Sequence, residues 1–160
     1  MRRSPHWGLI SYTFAIAFFL MLLPMPAHWS AFKPVWPLLV FFYWALLWPA
    51  QLNVGSAWMI GFTIDLINGT LLGEHALAMT VAVYLVLSRY RQIRMYPILQ
   101  QALWVSVTVF MYQAVLYCVQ ILLGSPPASV LYWLPTLTSM IVWPWVVSVI
   151  DHYRRKLKLI

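Results

Sequence analysis

The sequence predicts an all-α membrane protein with six transmembrane helices in one bundle, forming a single domain over residues 1–160. Of the 160 residues, 63% are hydrophobic and only 8% are charged, whereas soluble domains carry about 25% charged residues. Apolar runs long enough to cross a bilayer follow one another along the chain, separated by short segments rich in proline, glycine or basic residues. The predicted spans cover residues 7–23, 34–50, 54–68, 75–88, 98–123 and 130–150.

Prolines bound the first two spans. The opening apolar run is too long for a signal peptide, and Pro24 and Pro26 follow it without a small-residue cleavage site. We therefore interpret it as a retained span. Pro34 and Pro37 suit the first turn of the second helix. That span is short, so a tilted or partly re-entrant segment is an alternative.

The third span carries one carboxylate, Asp65, well inside an apolar segment. On a helix this residue falls on a stripe of small side chains, which lets another helix approach closely. The favoured interpretation is a polar latch to a Ser, Thr, Asn or Tyr on another span. Ion or proton coupling is the alternative, weakened because no second acid is predicted inside a span. The stripe is Ala57, Gly61, Asp65, Asn68, Gly69 and Leu72.

The link between the third and fourth spans contains Gly69 and Gly73, which allow a tight turn. Glu74 and His75 are predicted to lie in this outer loop, where they are solvated or face a partner. Two candidate ligands do not make a metal site. The residues predicted to mediate helix packing or partner binding are Asn53, Gly55, Gly61, Asp65, Asn68, Gly69 and Gly73.

The last two spans differ in regularity. The fifth contains Gln113 and Gln120, seven residues apart and therefore on one face, which is predicted to pack against another helix. In the sixth, Pro135 and Pro144 are predicted to kink the helix. Cys118 has no cysteine with which to pair, and its apolar neighbours predict that it packs as a small hydrophobe.

Basic residues lie at the span ends and set the predicted orientation. With six spans, nine of the ten Lys and Arg residues fall on one side and only Lys33 falls on the other. This bias predicts that both termini are cytoplasmic. The cations flank apolar runs and are not interleaved with polar residues that could read nucleic-acid bases, which argues against a nucleic-acid partner. They favour binding to anionic phospholipids, with a cytosolic protein as the alternative partner. The predicted contacts are Arg89, Arg91, Arg94, Arg154, Arg155, Lys156 and Lys158.

Tryptophans near the predicted span ends indicate an aromatic belt at the two membrane surfaces. No nucleophile–His–acid grouping, phosphate-binding loop or metal-ligand motif occurs in the sequence. We therefore predict no enzymatic activity, no cofactor and no metal. The belt residues are Trp7, Trp29, Trp36, Trp48, Trp133, Trp143 and Trp145.

Two neighbouring segments, KPVWPLLVFFYWALLWP and QLNVGSAWMIGFTIDLINGTLLGEHALAM, resemble the core of the rod shape-determining protein MreD family. The spacing of asparagine, glycines and aspartate in the second segment is the most specific part of the resemblance. The matching positions are Pro34, Trp36, Tyr43, Trp44, Pro49, Asn53, Val54, Gly55, Gly61, Asp65, Leu66, Gly69, Leu72, Gly73, Ala76, Leu77, Tyr84, Trp143, Pro144 and Trp145.

The resemblance implies a non-enzymatic inner-membrane scaffold of the bacterial elongasome, which binds the single-span protein MreC. It also implies shared work with MreB, RodZ, RodA and the class B transpeptidase, directing lateral peptidoglycan synthesis and maintaining rod shape. The family's fold is similar to the substrate-binding subunits of energy-coupling-factor vitamin transporters. That similarity supplies an alternative function, a small-molecule binding subunit of a membrane transporter.

Overall fold

The computed structural model describes residues 7–26, 29, 31–125 and 127–156. Within those ranges it contains six α-helices, one 3₁₀ helix and no strand, which confirms the predicted all-α class. The elements are α1 (Trp7–Leu22), α2 (Trp36–Leu47), α3 (Val54–Asn68), α4 (Glu74–Ile93), α5 (Ile98–Leu122), the 3₁₀ helix (Val130–Trp133) and α6 (Leu134–Lys156).

Two helical stretches of the described chain are long and apolar enough to cross a membrane. They are Ile98–Leu122, with a mean hydropathy of 1.7, and Val130–Lys156, with a mean hydropathy of 1.5. Two shorter apolar helices, α1 and α2, have 16 and 12 residues. Each of the six predicted segments is therefore helical, while the number that crosses the bilayer stays a prediction.

Helix α2 lies at the centre of the bundle. Every residue from 37 to 46 is buried, and the helix contacts α1, α4, α5 and α6. A helix that is buried on all sides needs no polar face, which explains its unbroken apolar sequence. Its indole at Trp44 donates a hydrogen bond from Nε1 to Thr13 Oγ1 of α1 at 2.9 Å. This bond satisfies both buried polar groups and ties α1 to the centre.

Helices α3 and α4 form an antiparallel hairpin with the most extensive helix–helix contact in the described chain. Gly61 is the point of closest approach, because a Cβ at that position would lie 2.5 Å from Ala76 Cα and from the His75 carbonyl oxygen. Only a residue without a side chain allows this backbone-to-backbone contact. The small face of α3 at Gly61 is therefore occupied by the chain's own next helix.

The two glutamines of α5 bond to different neighbours. Gln113 Nε2 donates to the Tyr132 carbonyl at 2.6 Å, and Tyr132 donates its hydroxyl to the Gln113 carbonyl at 3.1 Å. Gln120 Nε2 donates to Glu74 Oε1 of α4 at 3.0 Å. Both glutamines thus contact other helical elements, as predicted, and together they bridge α4 to the start of the last helix.

The two basic segments continue helices rather than forming loops. Helix α4 extends past the predicted end at residue 88 to Ile93, so Arg89 and Arg91 are helical and Arg94 is the C-cap. Helix α6 likewise extends past residue 150 to Lys156. The apolar pattern ends where the chain leaves the interior, but Arg and Lys are good helix formers and suit the negative end of the helix dipole.

The prediction of an aromatic belt is wrong for one of its residues, Trp143. Trp143 is fully buried and packs edge-on against Phe42 of α2, with ring centroids 5.0 Å apart. Trp145 is 73% exposed. Two residues that are two apart on a helix lie about 200° apart around its axis, so both cannot face outward. Cys118 is also exposed, contrary to the prediction that it packs inside.

The contact at Gly61 predicts a steric cost. Gly61→Ala places a methyl group against the backbone of α4, and overpacking of this kind costs about 1–3 kcal/mol of the free energy of unfolding. Denaturant unfolding of the purified protein in detergent measures it. Gly8→Ala is the matched control, because an added Cβ there meets no atom within 4 Å. Equal stability of the two variants would contradict the close approach.

Candidate functional site

The carboxylate of Asp65 is the most highly bonded side chain in the described chain. It lies in the last turns of α3 and is fully buried. Three backbone N–H groups donate to it: Gly73 to Oδ2 at 2.9 Å, His75 to Oδ1 at 2.9 Å, and Ala76 to Oδ2 at 3.3 Å. The carboxylate therefore binds the N-terminus of α4, where a helix presents unpaired N–H groups and the positive end of its dipole.

Two side chains add to these bonds. Thr70 Oγ1 donates to Asp65 Oδ1 at 3.0 Å, and His75 Nδ1 lies 2.8 Å from the same oxygen. An ionised carboxylate only accepts hydrogen bonds, which suits a site where every neighbour is a donor. The tautomer of His75 follows, because Nδ1 must carry the proton that faces the carboxylate.

Two glycines bring the chain back to this carboxylate. Gly69 is the C-cap of α3 with φ 64°, and Gly73 precedes α4 with φ 103°. Both values lie in the left-handed region that favours glycine. Gly73 occupies the N-cap position of α4 but has no side chain with which to cap the helix. Asp65 supplies that cap from the preceding helix. The two glycines turn the chain back, and the aspartate bonds the end of the turn to α3.

The structure corrects the prediction for Glu74 and His75. Glu74 is buried, 6% exposed, and its carboxylate accepts the bond from Gln120. The His75 side chain is 14% exposed and bonded to Asp65. Neither is a solvated loop residue, because α4 begins at Glu74 and carries both inward. Glu74 is therefore a second buried acid besides Asp65. The sequence disfavours ion coupling because it predicts no such second acid.

The contacts of Asp65, His75 and Thr70 are not those of a nucleophilic triad. Thr70 Oγ1 lies 3.3 Å from His75 Nδ1, the same nitrogen that faces Asp65. In a triad the histidine uses one nitrogen for the acid and the other for the nucleophile. Within the described residues, no group of three or more His, Cys, Asp or Glu side chains could hold a metal ion.

The predicted small-residue stripe of α3 is only partly realised. Ala57, Gly61 and Asp65 are buried, but Asn68 is exposed. Helix α3 ends at Asn68, so the stripe does not continue on the same helix to Gly69 or Leu72. The glycine C-cap ends the 3.6-residue periodicity on which the longer stripe depended.

At the other end of α3, Asn53 and Gly55 have local positions. Asn53 is the N-cap, and its side-chain oxygen accepts a bond from the Ser56 backbone N–H at 3.2 Å. Ser56 Oγ donates in return to the Asn53 carbonyl at 2.8 Å. Gly55 is exposed in this first turn. Asn53 thus caps the start of α3, whereas Asp65, near the other end of α3, caps the start of α4.

Basic side chains gather at one end of the bundle. Ile98 at the start of α5 and Asp151, His152 and Arg155 of α6 line one cleft, which brings the end of the α4–α5 link beside the end of α6. Asp151 accepts a bond from Tyr43 of α2 and pairs with Arg154 at 3.3 Å. We call this the basic end. It comprises Arg89, Arg91, Arg94, Arg154, Arg155 and Lys156, whereas Lys158 lies outside the described residues.

An apolar groove runs along the outside of the bundle between α1 and α6. Helix α1 packs chiefly on α2, and α6 packs chiefly on α5, which leaves a cavity of about 250 Å³ between them. We call it the lateral groove. Its lining residues are Leu9, Tyr12, Thr13, Ile16, Ala17 and Leu20 of α1, Trp36 and Val40 of α2, and Val142, Trp145, Val146, Val149, Ile150 and Tyr153 of α6.

Comparison with known proteins decides the family. The model of the rod shape-determining protein MreD family matches residues 1–152. The chain belongs to the MreD family. The rod shape-determining protein MreD of Haemophilus influenzae is 34% identical over 156 residues, which cover 96% of this chain and 94% of that protein. No solved structure matches the chain.

Membership in the MreD family supports a rod shape-determining role for a membrane protein, in agreement with the apolar helices. The family is a shape-determining one and is not known for enzymatic activity. The implied similarity to energy-coupling-factor subunits gains no support, since no solved structure matches. The transporter alternative gains none either.

The hydrogen bonds to Asp65 predict that even a nearly isosteric replacement of this residue destabilises the protein. Asp65→Asn substitutes an N–H donor for one oxygen in a site made of donors, so at least one buried N–H loses its acceptor. We expect a loss of about 3 kcal/mol or more in the free energy of unfolding. Faster hydrogen exchange at the Gly73, His75 and Ala76 amides should accompany it. Asn68→Ala, at an exposed position on the same helix, is the control. Matching stabilities would show that the carboxylate is not the cap of α4.

Proposed function

We propose that this chain is a non-enzymatic scaffold of the bacterial elongasome that seats the single membrane span of MreC in the lateral groove. In this role it crosses the inner membrane several times with both termini in the cytoplasm, and it helps direct lateral peptidoglycan synthesis. Membership in the MreD family supports the process, and the open groove between α1 and α6 supports the mode of binding.

The lateral groove is lined mostly by apolar side chains, and several of those on its walls are exposed. Trp145 is 73% exposed, Val149 is 52% exposed and Ile16 is 41% exposed. Trp36 and Val40 of α2 form the floor. Lipid-facing side chains are expected to be apolar, so it is the concave shape that favours a partner rather than the apolar lining itself.

The dimensions of the lateral groove suit a helix. Its α1 wall extends from Leu9 to Leu20 and its α6 wall from Val142 to Tyr153. Each wall therefore rises about 16 Å at about 1.5 Å per residue. A helix laid along it contacts two parallel walls and a floor at once, which multiplies van der Waals contacts where burial of apolar area gives no advantage over lipid.

In contrast, the glycine face of α3 is a poor candidate for this contact. Gly61 packs against His75 and Ala76 of the same chain, so no space for a partner helix remains there. Gly61, the centre of the small-residue stripe, therefore acts within the chain, and the proposed seat of the partner is the lateral groove instead.

The basic end suits two further classes of partner. Arg89, Arg91, Arg94, Arg155 and Lys156 are exposed, and each cation near a membrane surface attracts anionic phospholipids by about 1 kcal/mol. A cytoplasmic position would also place these cations within reach of MreB and of the cytoplasmic parts of RodZ. RodA and its class B transpeptidase are the further members of the proposed assembly.

Site-specific photocrosslinking tests the place of MreC. A photoreactive residue at Ile16 or Val149 should capture MreC in living cells, because both side chains line the lateral groove and are exposed. The same residue at Met59 or Leu103, exposed on α3 and α5 outside the groove, is the control. Capture from the control positions at equal yield would contradict the proposed seat.

Filling the lateral groove tests its importance for shape. The double substitution Ile16→Trp with Val149→Trp adds bulk at exposed positions, so the bundle should fold while a partner helix is excluded. We expect co-purified MreC to fall at least about tenfold, which corresponds to about 1.4 kcal/mol, and cells to become round. Met59→Trp with Leu103→Trp should preserve both. Normal rods and normal MreC recovery with the filled groove would exclude the groove as the contact.

A further inference from the structure

A second cavity opens at the end of the bundle opposite the basic end. Its volume is about 180 Å³, and we call it the polar cavity. It is shared by the segment before α2 and by α3, α4 and α5, next to the turn that Asp65 holds. Its walls include Lys33, Trp36, Ile64, His75, Tyr112 and Leu116.

The hydroxyl of Tyr112 is an unused donor in this cavity. The residue is 4% exposed and lines the cavity, yet its hydroxyl forms no hydrogen bond to the residues that the structure describes. Buried tyrosine hydroxyls nearly always find a partner. Other polar groups nearby bond to one another, as Gln113 and Tyr132 do. The Tyr112 hydroxyl therefore offers a donor at the cavity wall that has no acceptor among the described residues.

Lys33 adds a positive charge with spare donor capacity. Its ammonium donates to the carbonyl oxygen of Leu23 at 3.0 Å and to that of Met21. These bonds fix the ammonium beneath the end of α1. An ammonium has three protons, so one remains for a further acceptor. The charge has no carboxylate partner among the described residues.

His75 forms the third polar wall. Its Nδ1–H faces Asp65 at 2.8 Å, so Nε2 of the neutral ring carries a lone pair and is an acceptor rather than a donor. The negative charge of Asp65 behind it is spread over five hydrogen bonds from donors of the chain itself. The oxygens of the Asp65 carboxylate are therefore occupied by donors of its own chain, and the donors that remain at the cavity wall are those of Lys33 and Tyr112.

We propose that the polar cavity is a binding site for a single carboxylate group, held by the Lys33 ammonium and the Tyr112 hydroxyl. Two donors suit the two oxygens of a carboxylate, whereas the additional oxygen of a phosphate would lack a donor. The apolar walls at Trp36, Ile64 and Leu116 fit a short hydrocarbon portion. The small volume excludes a large ligand, so the carboxylate belongs to a small free acid or to an Asp or Glu side chain of another protein. The two cavities share Trp36, but Lys33 and Tyr112 do not line the lateral groove, so the proposed site does not depend on the MreC contact.

Binding of trifluoroacetate, followed by ¹⁹F NMR on the full chain in nanodiscs of zwitterionic lipid, tests the proposal. The wild-type protein should give saturable binding. Tyr112→Phe removes only the unpartnered hydroxyl and should weaken binding about tenfold, as expected for a hydrogen bond to a charged group. Tyr117→Phe, on the same helix but outside the cavity, should bind as the wild type does. Lys33→Met should abolish binding, and thermal unfolding of each variant verifies its fold.

Competition experiments distinguish the two sources of the carboxylate. Displacement by acetate but not by N-acetyl-aspartate amide indicates a free acid, and displacement by both shows that a protein side chain also fits. Either result supports the site. Absence of saturable trifluoroacetate binding would overturn it, and so would equal affinities for the Tyr112→Phe and Tyr117→Phe proteins.

Discussion

The hydrogen bonds between the Asp65 carboxylate and the start of α4 are the interaction on which the rest of the bundle depends. Helix α4 contacts α2, α3 and α5, so its position sets the arrangement of the core. Its own N-cap is a glycine without a capping side chain. Asp65 closes the hairpin and caps α4 at once, and Gly61, one turn before Asp65 on α3, lets the two backbones meet at His75 and Ala76. Burying a carboxylate inside an apolar segment costs free energy. Here that cost is offset because the carboxylate accepts hydrogen bonds from backbone N–H groups at the start of α4, which have no partner within the helix.

Composition and hydrophobic runs predicted the fold class and most helices, because these depend on many residues at once. The importance of Asp65 was also predictable, since an isolated acid in an apolar segment needs partners. The identity of those partners was not. The prediction expected a side chain on another span, whereas the main donors are backbone N–H groups, which the sequence does not distinguish. Glu74 was misplaced for a related reason: its partner, Gln120, lies 46 residues further along the chain. An amide in an apolar helix was the only signal for that pair.

The helix ends show a second limit of sequence patterns. A change from apolar to basic residues marks where a chain leaves a nonpolar environment, and the helices α4 and α6 continue past that change. The rigid extensions hold the cations at fixed positions, and Tyr43 ties one of them to the central helix through Asp151. Trp143 illustrates the same limit, because its place in the belt depended on chain position alone while its burial depends on the helix face. The family match supplies the role in shape, which neither pattern nor geometry could give.

The unequal lengths of the outer helices have a consequence for the surrounding lipid. Helix α3 has 15 residues and rises about 22 Å, less than the roughly 30 Å hydrocarbon thickness of a bilayer. Helix α5 has 25 residues and rises about 37 Å. In the proposed multi-span topology, lipids in contact with α3 would be compressed relative to those that surround α5, at a cost of fractions of a kcal/mol per ångström of mismatch. In that topology the membrane would be thinner beside α3 than beside α5, and a neighbour whose own span is short would gain by collecting on the thin side without any direct contact.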